Sequence, residues 1–125
     1  MEIDLTGFTG AQKHALFDLL ILAMYADGQL TSIEDEQLQE LLASMGFTEE
    51  SDRQREFDAA VTKIRPSLKS IQTAKEHALS LAKAFTDRSQ QRRVFEAVEQ
   101  IMIFDRHVST WESTLLMELR LKFRL

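Results

Sequence analysis

Between Gly10 and Ala26 apolar residues fall almost all the way round a helical wheel. Leu16, Leu19, Leu20 and Ala23 form one stripe, and Ile21, Leu22 and Met24 widen it. A helix of that kind is covered on several sides and belongs at the centre of a bundle. Thr9 with Gln12 supplies a capping box at its start, and Asp27-Gly28 supplies its stop. A second helix follows Thr31, with Glu34 at N3, a buried face of Leu38, Leu41, Leu42 and Met45, and Gly46 as terminator. Thr48 is expected to open a third helix carrying Glu49, Glu50 and Asp52 in its first turn and the stripe Phe57, Val61, Ile64. Pro66 punctuates the chain and biases Arg65 away from helix. A fourth helix runs from about Leu68 to Phe85 with Ile71, Ala74, Ala78, Leu81 and Phe85 inward. A fifth starts at Asp87 with Gln90 and reaches Phe104. A sixth starts after Ser109 with Glu112 at N3. Nothing has the alternation of a strand. The pattern predicts an all-α, single-domain bundle of about six helices over residues 1–125.

A passage within this pattern occurs twice, 78 positions apart. Met24 to Glu34 reads MYADGQLTSIE, and Met102 to Glu112 reads MIFDRHVSTWE. Each has an acid, an apolar residue three further on, and a second acid seven after the first. The match extends outward at the same offset. Leu16, Phe17, Leu20 and Met24 correspond to Val94, Phe95, Val98 and Met102, and Leu38, Leu41 and Met45 correspond to Leu116, Leu119 and Phe123. The bundle is therefore expected to contain a duplicated helix–loop–helix unit, each copy with an acidic loop, flanking a middle helical pair.

Composition narrows what the loops can do. The chain has no cysteine, so thiolate metal sites, disulfides and Cys nucleophiles are excluded together. A net charge of −5 argues against general nucleic-acid binding, which needs a basic surface. The start, Met1-Glu2-Ile3-Asp4, lacks the basic and apolar regions of a signal peptide, and the apolar run from Ala15 to Ala26 is interrupted by Asp18 and too short to span a bilayer. A cytoplasmic location with no membrane span is the simplest expectation. No residue set has the spacing of a nucleophile and base or of an acid/base pair, so no enzyme is expected.

Asp27 to Glu34 matches the back half of a calcium-binding EF-hand loop, with an acid, Gly, an apolar residue and Glu in the right places. The front half fails, because Ala23 and Tyr25 occupy the first two ligand positions. The second copy places Ile101 and Ile103 there and replaces the glycine with Arg106. Glu34 and Glu112 also fit a capping role, and Asp27 and Asp105 fit local backbone bonding between helices. If the two copies pack about an approximate two-fold axis, Asp27, Glu34, Asp105 and Glu112 gather four carboxylates. Such a cluster needs a cation, a basic partner or protonation. Oxygen-only ligands favour Ca²⁺, Mg²⁺ or Mn²⁺.

The passage Ala26-Asp27-Gly28, then Leu30, Thr31 and Glu34, between two helices and repeated later in weaker form, resembles the TerB-like family. That family includes the tellurite-resistance protein TerB and is related to the N-terminal region of the co-chaperone DjlA. The resemblance covers about Leu16 to Phe123. It implies a compact all-α bundle with acidic loops proposed to bind metal, and a link to tellurite resistance and stress responses. By position it assigns the metal site to Asp27 and Glu34, then Asp105 and Glu112.

Other constellations are weaker. Asp18 and Glu96 are equivalent in the repeat and are expected on exposed helix edges. His14, His77 and His107 are dispersed, and no Glu-x-x-His pair of a di-iron bundle occurs. Arg88, Arg92 and Arg93 cluster at the start of the fifth helix, and Arg120, Lys122 and Arg124 at the end of the sixth, where solvated faces are the default reading. Two function classes stay open. One is a small metal-binding stress-response domain. The other is a non-enzymatic protein-interaction module whose acids are helix caps and a surface patch for a basic, unidentified protein partner.

Overall fold

The computed structural model describes residues 4–25, 36–104 and 110–125. They form an all-α bundle of six helices: α1 (Gly10–Tyr25), α2 (Glu36–Ser44), α3 (Glu50–Ile64), α4 (Ile71–Ala82), α5 (Arg88–Phe104) and α6 (Thr110–Phe123), with a 3₁₀ helix, Arg65–Lys69, between α3 and α4. No strand occurs among the described residues. Among them, too, no helix is long and apolar enough to cross a membrane.

The apolar breadth of α1 has the expected consequence. All residues from Leu16 to Ala23 are buried, and α2, α3, α4 and α5 all pack against this helix. The fourth helix works differently. Its fully buried positions are Ala74, Ala78 and Ala82, while Ile71 and Leu81 are only partly covered. A row of methyl groups lets the α4 backbone come close to its neighbours, and α4 packs more extensively on α6 than any other helix pair. Leu115, Leu119 and Phe123 form the facing stripe of α6.

Helix boundaries follow local chemistry. Thr9 and Gln12 make the expected reciprocal capping box, with Gln12 N–H donating to Thr9 Oγ1 at 3.1 Å and Thr9 N–H to Gln12 Oε1 at 3.0 Å. Thr48 does not open α3. Glu49 takes the N-cap position in extended conformation without a side-chain cap bond, and the Thr48 carbonyl accepts from Arg53 Nη1 at 2.5 Å. Arg65 keeps an αR backbone despite the following proline, and Pro66 itself is accommodated in the first turn of the 3₁₀ helix, where no amide donor is needed. That turn delays α4 to Ile71, where Ser70 and Thr73 form a capping box.

Corresponding features recur 78 positions apart. Leu16 and Val94, Leu20 and Val98, and Leu41 and Leu119 are all fully buried. Thr9 and Asp87 cap α1 and α5 through the backbone amides of Gln12 and Gln90. At the other end α2 and α6 close with the same motif. Phe47 N–H bonds Leu42 O and Gly46 N–H bonds Ala43 O, while Leu125 N–H bonds Arg120 O and Arg124 N–H bonds Leu121 O. This is the Schellman arrangement, which needs a left-handed residue at its turn. Gly46 provides it at φ 103°, and Arg124 at φ 56°.

Candidate functional site

The acidic passages sit between the helices of each pair. Asp27, Glu34 and Asp105 lie outside the described residues, in 26–35 and 105–109. Glu112 belongs to the first turn of α6, and its side chain lies outside the description as well. The capping roles expected of Glu34 and Glu112 therefore also fall outside it. The frame around these passages is described: α1 delivers the chain as far as Tyr25, α2 resumes at Glu36, α5 delivers it to Phe104 and α6 resumes at Thr110. Among the described residues, no three His, Asp or Glu side chains are grouped so as to hold a metal ion.

The starts of α1 and α5 are locked together by a reciprocal amide pair. Gln12 Nε2 donates to Gln90 Oε1 at 2.9 Å, and Gln90 Nε2 donates to Gln12 Oε1 at 3.2 Å. The second hydrogen of each amide goes to a backbone carbonyl, Ala84 O from Gln12 and Gly7 O from Gln90, both at 3.0 Å. Phe8 and Phe85, which follow those two carbonyls, pack with ring centroids 5.7 Å apart. Each precedes its helix after a similar turn, Phe8 N–H bonding Leu5 O and Phe85 N–H bonding Ala82 O. The contacts at this end of the bundle are reciprocal between the two helix starts. The sequence marks Gln12 and Gln90 as helix-start residues, and nothing in it marks their tertiary partnership.

A second polar group lies inside the α1–α3–α4 contact. The sequence places Asp18 and Glu96 on exposed edges. Glu96 is exposed, but Asp18 is only 3% exposed. The reason is a cation from another element: Lys63 Nζ, near the end of α3, sits 2.6 Å from Asp18 Oδ2. Asp18 Oδ1 is buried without a hydrogen-bond partner. His77 of α4 is half-buried, and its Nδ1 shares a 2.5 Å hydrogen bond with Ser67 Oγ of the 3₁₀ helix. Burial lowers the His77 pKa below the ordinary imidazole value. Asp18 opposes that shift and Lys63 adds to it.

Ser67, His77 and Asp18 have the residue types of a nucleophile relay. The carboxylate, however, is committed to Lys63 through Oδ2 and leaves Oδ1 without a partner, so it does not orient the imidazole. The group reads as an electrostatic tie between three helices. A sequence signal for it did exist, a lone Asp inside the apolar run Ala15–Ala26, but its partner stands 45 positions away and follows no local spacing.

Comparison of the chain with models of protein families, with curated proteins and with solved structures returns no match.

Proposed function

We propose that this chain is a non-enzymatic, TerB-like stress-response domain that holds a divalent cation at the acidic segments between its paired helices. The observation that carries the reading is the coincidence of two regularities. The acids Asp27 and Glu34, and Asp105 and Glu112, repeat at an offset of 78. The features enclosing them repeat at that offset too, from the caps Thr9 and Asp87 to the left-handed turns Gly46 and Arg124. Four carboxylates with no thiol and no obligatory histidine are a hard-oxygen donor set, which suits Ca²⁺, Mg²⁺ or Mn²⁺. By sequence the first segment is the better candidate ligand, because it carries Gly28, a residue type that tolerates turn conformations, where the second carries the positively charged Arg106.

Titration calorimetry and thermal melts with each of the three metals test the reading. A saturable heat and a rise in Tm are expected in the unsubstituted chain, because an ion that binds only the folded state stabilises it by mass action. Both responses should be lost in Asp27→Asn with Asp105→Asn. Absence of any heat or melting shift at millimolar metal removes the metal from the proposal.

A further inference from the structure

Among the described residues two large apolar side chains are left exposed, Met117 at 63% and Leu121 at 66%. They stand one turn apart on α6, opposite the buried stripe Leu115, Leu119 and Phe123, and so share one outward face. Arg120 on α6 and Arg124 in the turn that ends it are both exposed, as is Lys122 on another side of the helix. Arg120 Nε donates to Leu125 O at 3.2 Å, and Arg88 reaches over from α5 to the carbonyls of Phe123 and Arg124. Among the described residues no carboxylate side chain lies within salt-bridge distance of any of these four cations. In a chain of net charge −5 this end is a local excess of positive charge.

The fold itself does not require this surface. The positions of α2 that correspond at the 78-residue offset are Gln39 for Met117, Ala43 for Leu121, Ser44 for Lys122 and Gly46 for Arg124. That helix ends in the same Schellman turn without exposed large apolar side chains and without cations. The α6 face therefore departs from its counterpart in two respects at once, apolar and cationic.

We propose that the outer face of α6 docks an acidic amphipathic helix of a partner protein, with Met117 and Leu121 in the seam and Arg120 and Arg124 pairing with its carboxylates. An apolar pair at i and i+4 is the repeat unit of helix-on-helix packing. Met adapts to the shape of a partner, and the planar guanidinium pairs with carboxylates in two-pronged fashion. A bilayer is the poorer match. Interfacial helices place aromatic anchors on the outer face, and here Phe123 is buried and Trp111 is packed against the core. The partner chemistry is opposite in sign to that suggested by the acidic segments, so this surface is independent of the metal proposal.

The test is selection from a displayed library of short helix-forming peptides against the full chain in chelator, where no divalent ion contributes. Enriched peptides should carry an apolar i, i+4 pair flanked by Asp or Glu and bind with micromolar Kd. Met117→Ser with Leu121→Ser should weaken them about tenfold or more, and so should Arg120→Gln with Arg124→Gln, the latter effect shrinking as salt is raised. Met117 and Leu121 are exposed, so the first variant should melt like the unsubstituted chain. No enrichment, or peptides indifferent to both variants, overturns the proposal. A dimer that the apolar variant converts to monomer assigns the face to a second copy. Flotation on phosphatidylserine-containing vesicles that the variants abolish assigns it to a bilayer. Either result also overturns the proposal.

Discussion

Gln12 and Gln90 donate to each other's side-chain oxygens at 2.9 and 3.2 Å, and each gives its remaining amide hydrogen to a backbone carbonyl at 3.0 Å. Gln12 Oε1 also accepts from Thr9 N–H, so the helix cap and the tertiary contact share one atom. Removing one partner strands polar groups of the other, and Gln90 is only 8% exposed. A buried unsatisfied amide costs about 1–3 kcal/mol. Gln90→Ala is expected to destabilise the chain by an amount in that range. Gln12→Ala with Gln90→Ala should cost less than the sum of the two single changes, because the second removal takes away the side-chain amide that the first left unpaired and adds only the loss of its backbone partners. Urea unfolding of the three variants completes the cycle, and strict additivity would show that the amides act independently.

Gly46 and Arg124 close α2 and α6 with the same turn, one with a residue suited to it and one without. A side chain at Gly46 meets open space, so the cost of Gly46→Ala is conformational alone. Left-handed backbone costs an L-residue about 1–2 kcal/mol, and that is the expected loss. Arg124→Gly should move stability the other way, by a smaller amount, because glycine also widens the unfolded ensemble. Thermal melts of both variants check the opposed signs.

These two turns show where sequence reading succeeds and where it stops. Gly46 is legible because glycine after an apolar helical stripe has one common use. Arg124 occupies the same conformation and carries no such mark. The central position of α1, the caps at Thr9 and Asp87 and the all-α class followed from periodicity and local chemistry. The burial of Asp18, the Gln12–Gln90 pair and the 3₁₀ turn that shortens α4 depend on contacts between distant segments, which no local spacing encodes. The candidate metal residues were legible as a repeated acidic pattern, and they fall on segments outside the described residues, apart from the backbone of Glu112.

Lys63 is the salt-bridge partner of the buried Asp18. Removing it leaves a carboxylate inside the α1–α3–α4 contact with neither oxygen paired to a cation. Breaking a fully buried pair costs about 3–5 kcal/mol. The Lys63 side chain is half exposed, so water compensates in part, and Lys63→Met is expected to cost about 2–3 kcal/mol. Adding Asp18→Leu should recover most of that loss, since it removes the buried carboxylate that Lys63→Met leaves unpaired. Chemical denaturation of the single and double variants decides the matter. A double variant weaker than Lys63→Met would mean that Asp18 contributes through contacts other than the ion pair.

His77 makes the stability of the bundle respond to mild acid. Its folded-state pKa is lowered below the ordinary value of 6.5, first by burial, with Lys63 adding to the shift and Asp18 opposing it. The unfolded chain therefore binds the proton more readily than the folded one. The contribution of the neutral imidazole is complete above about pH 6.5 and is lost as the pH falls through the folded pKa. Ser67 Oγ shares its hydrogen bond with Nδ1, which carries a proton in the imidazolium, so the hydroxyl must then accept. His77→Gln keeps a polar group without a titrating one. The stability difference between unsubstituted and variant chains should be constant above neutrality and narrow as the pH falls below about 6.5. The His77 ring signal followed by NMR should titrate with a midpoint below 6.5 and move upward in Lys63→Met, where a nearby positive charge is gone. A midpoint above 6.5 would reverse the sign of the argument and predict stabilisation on acidification.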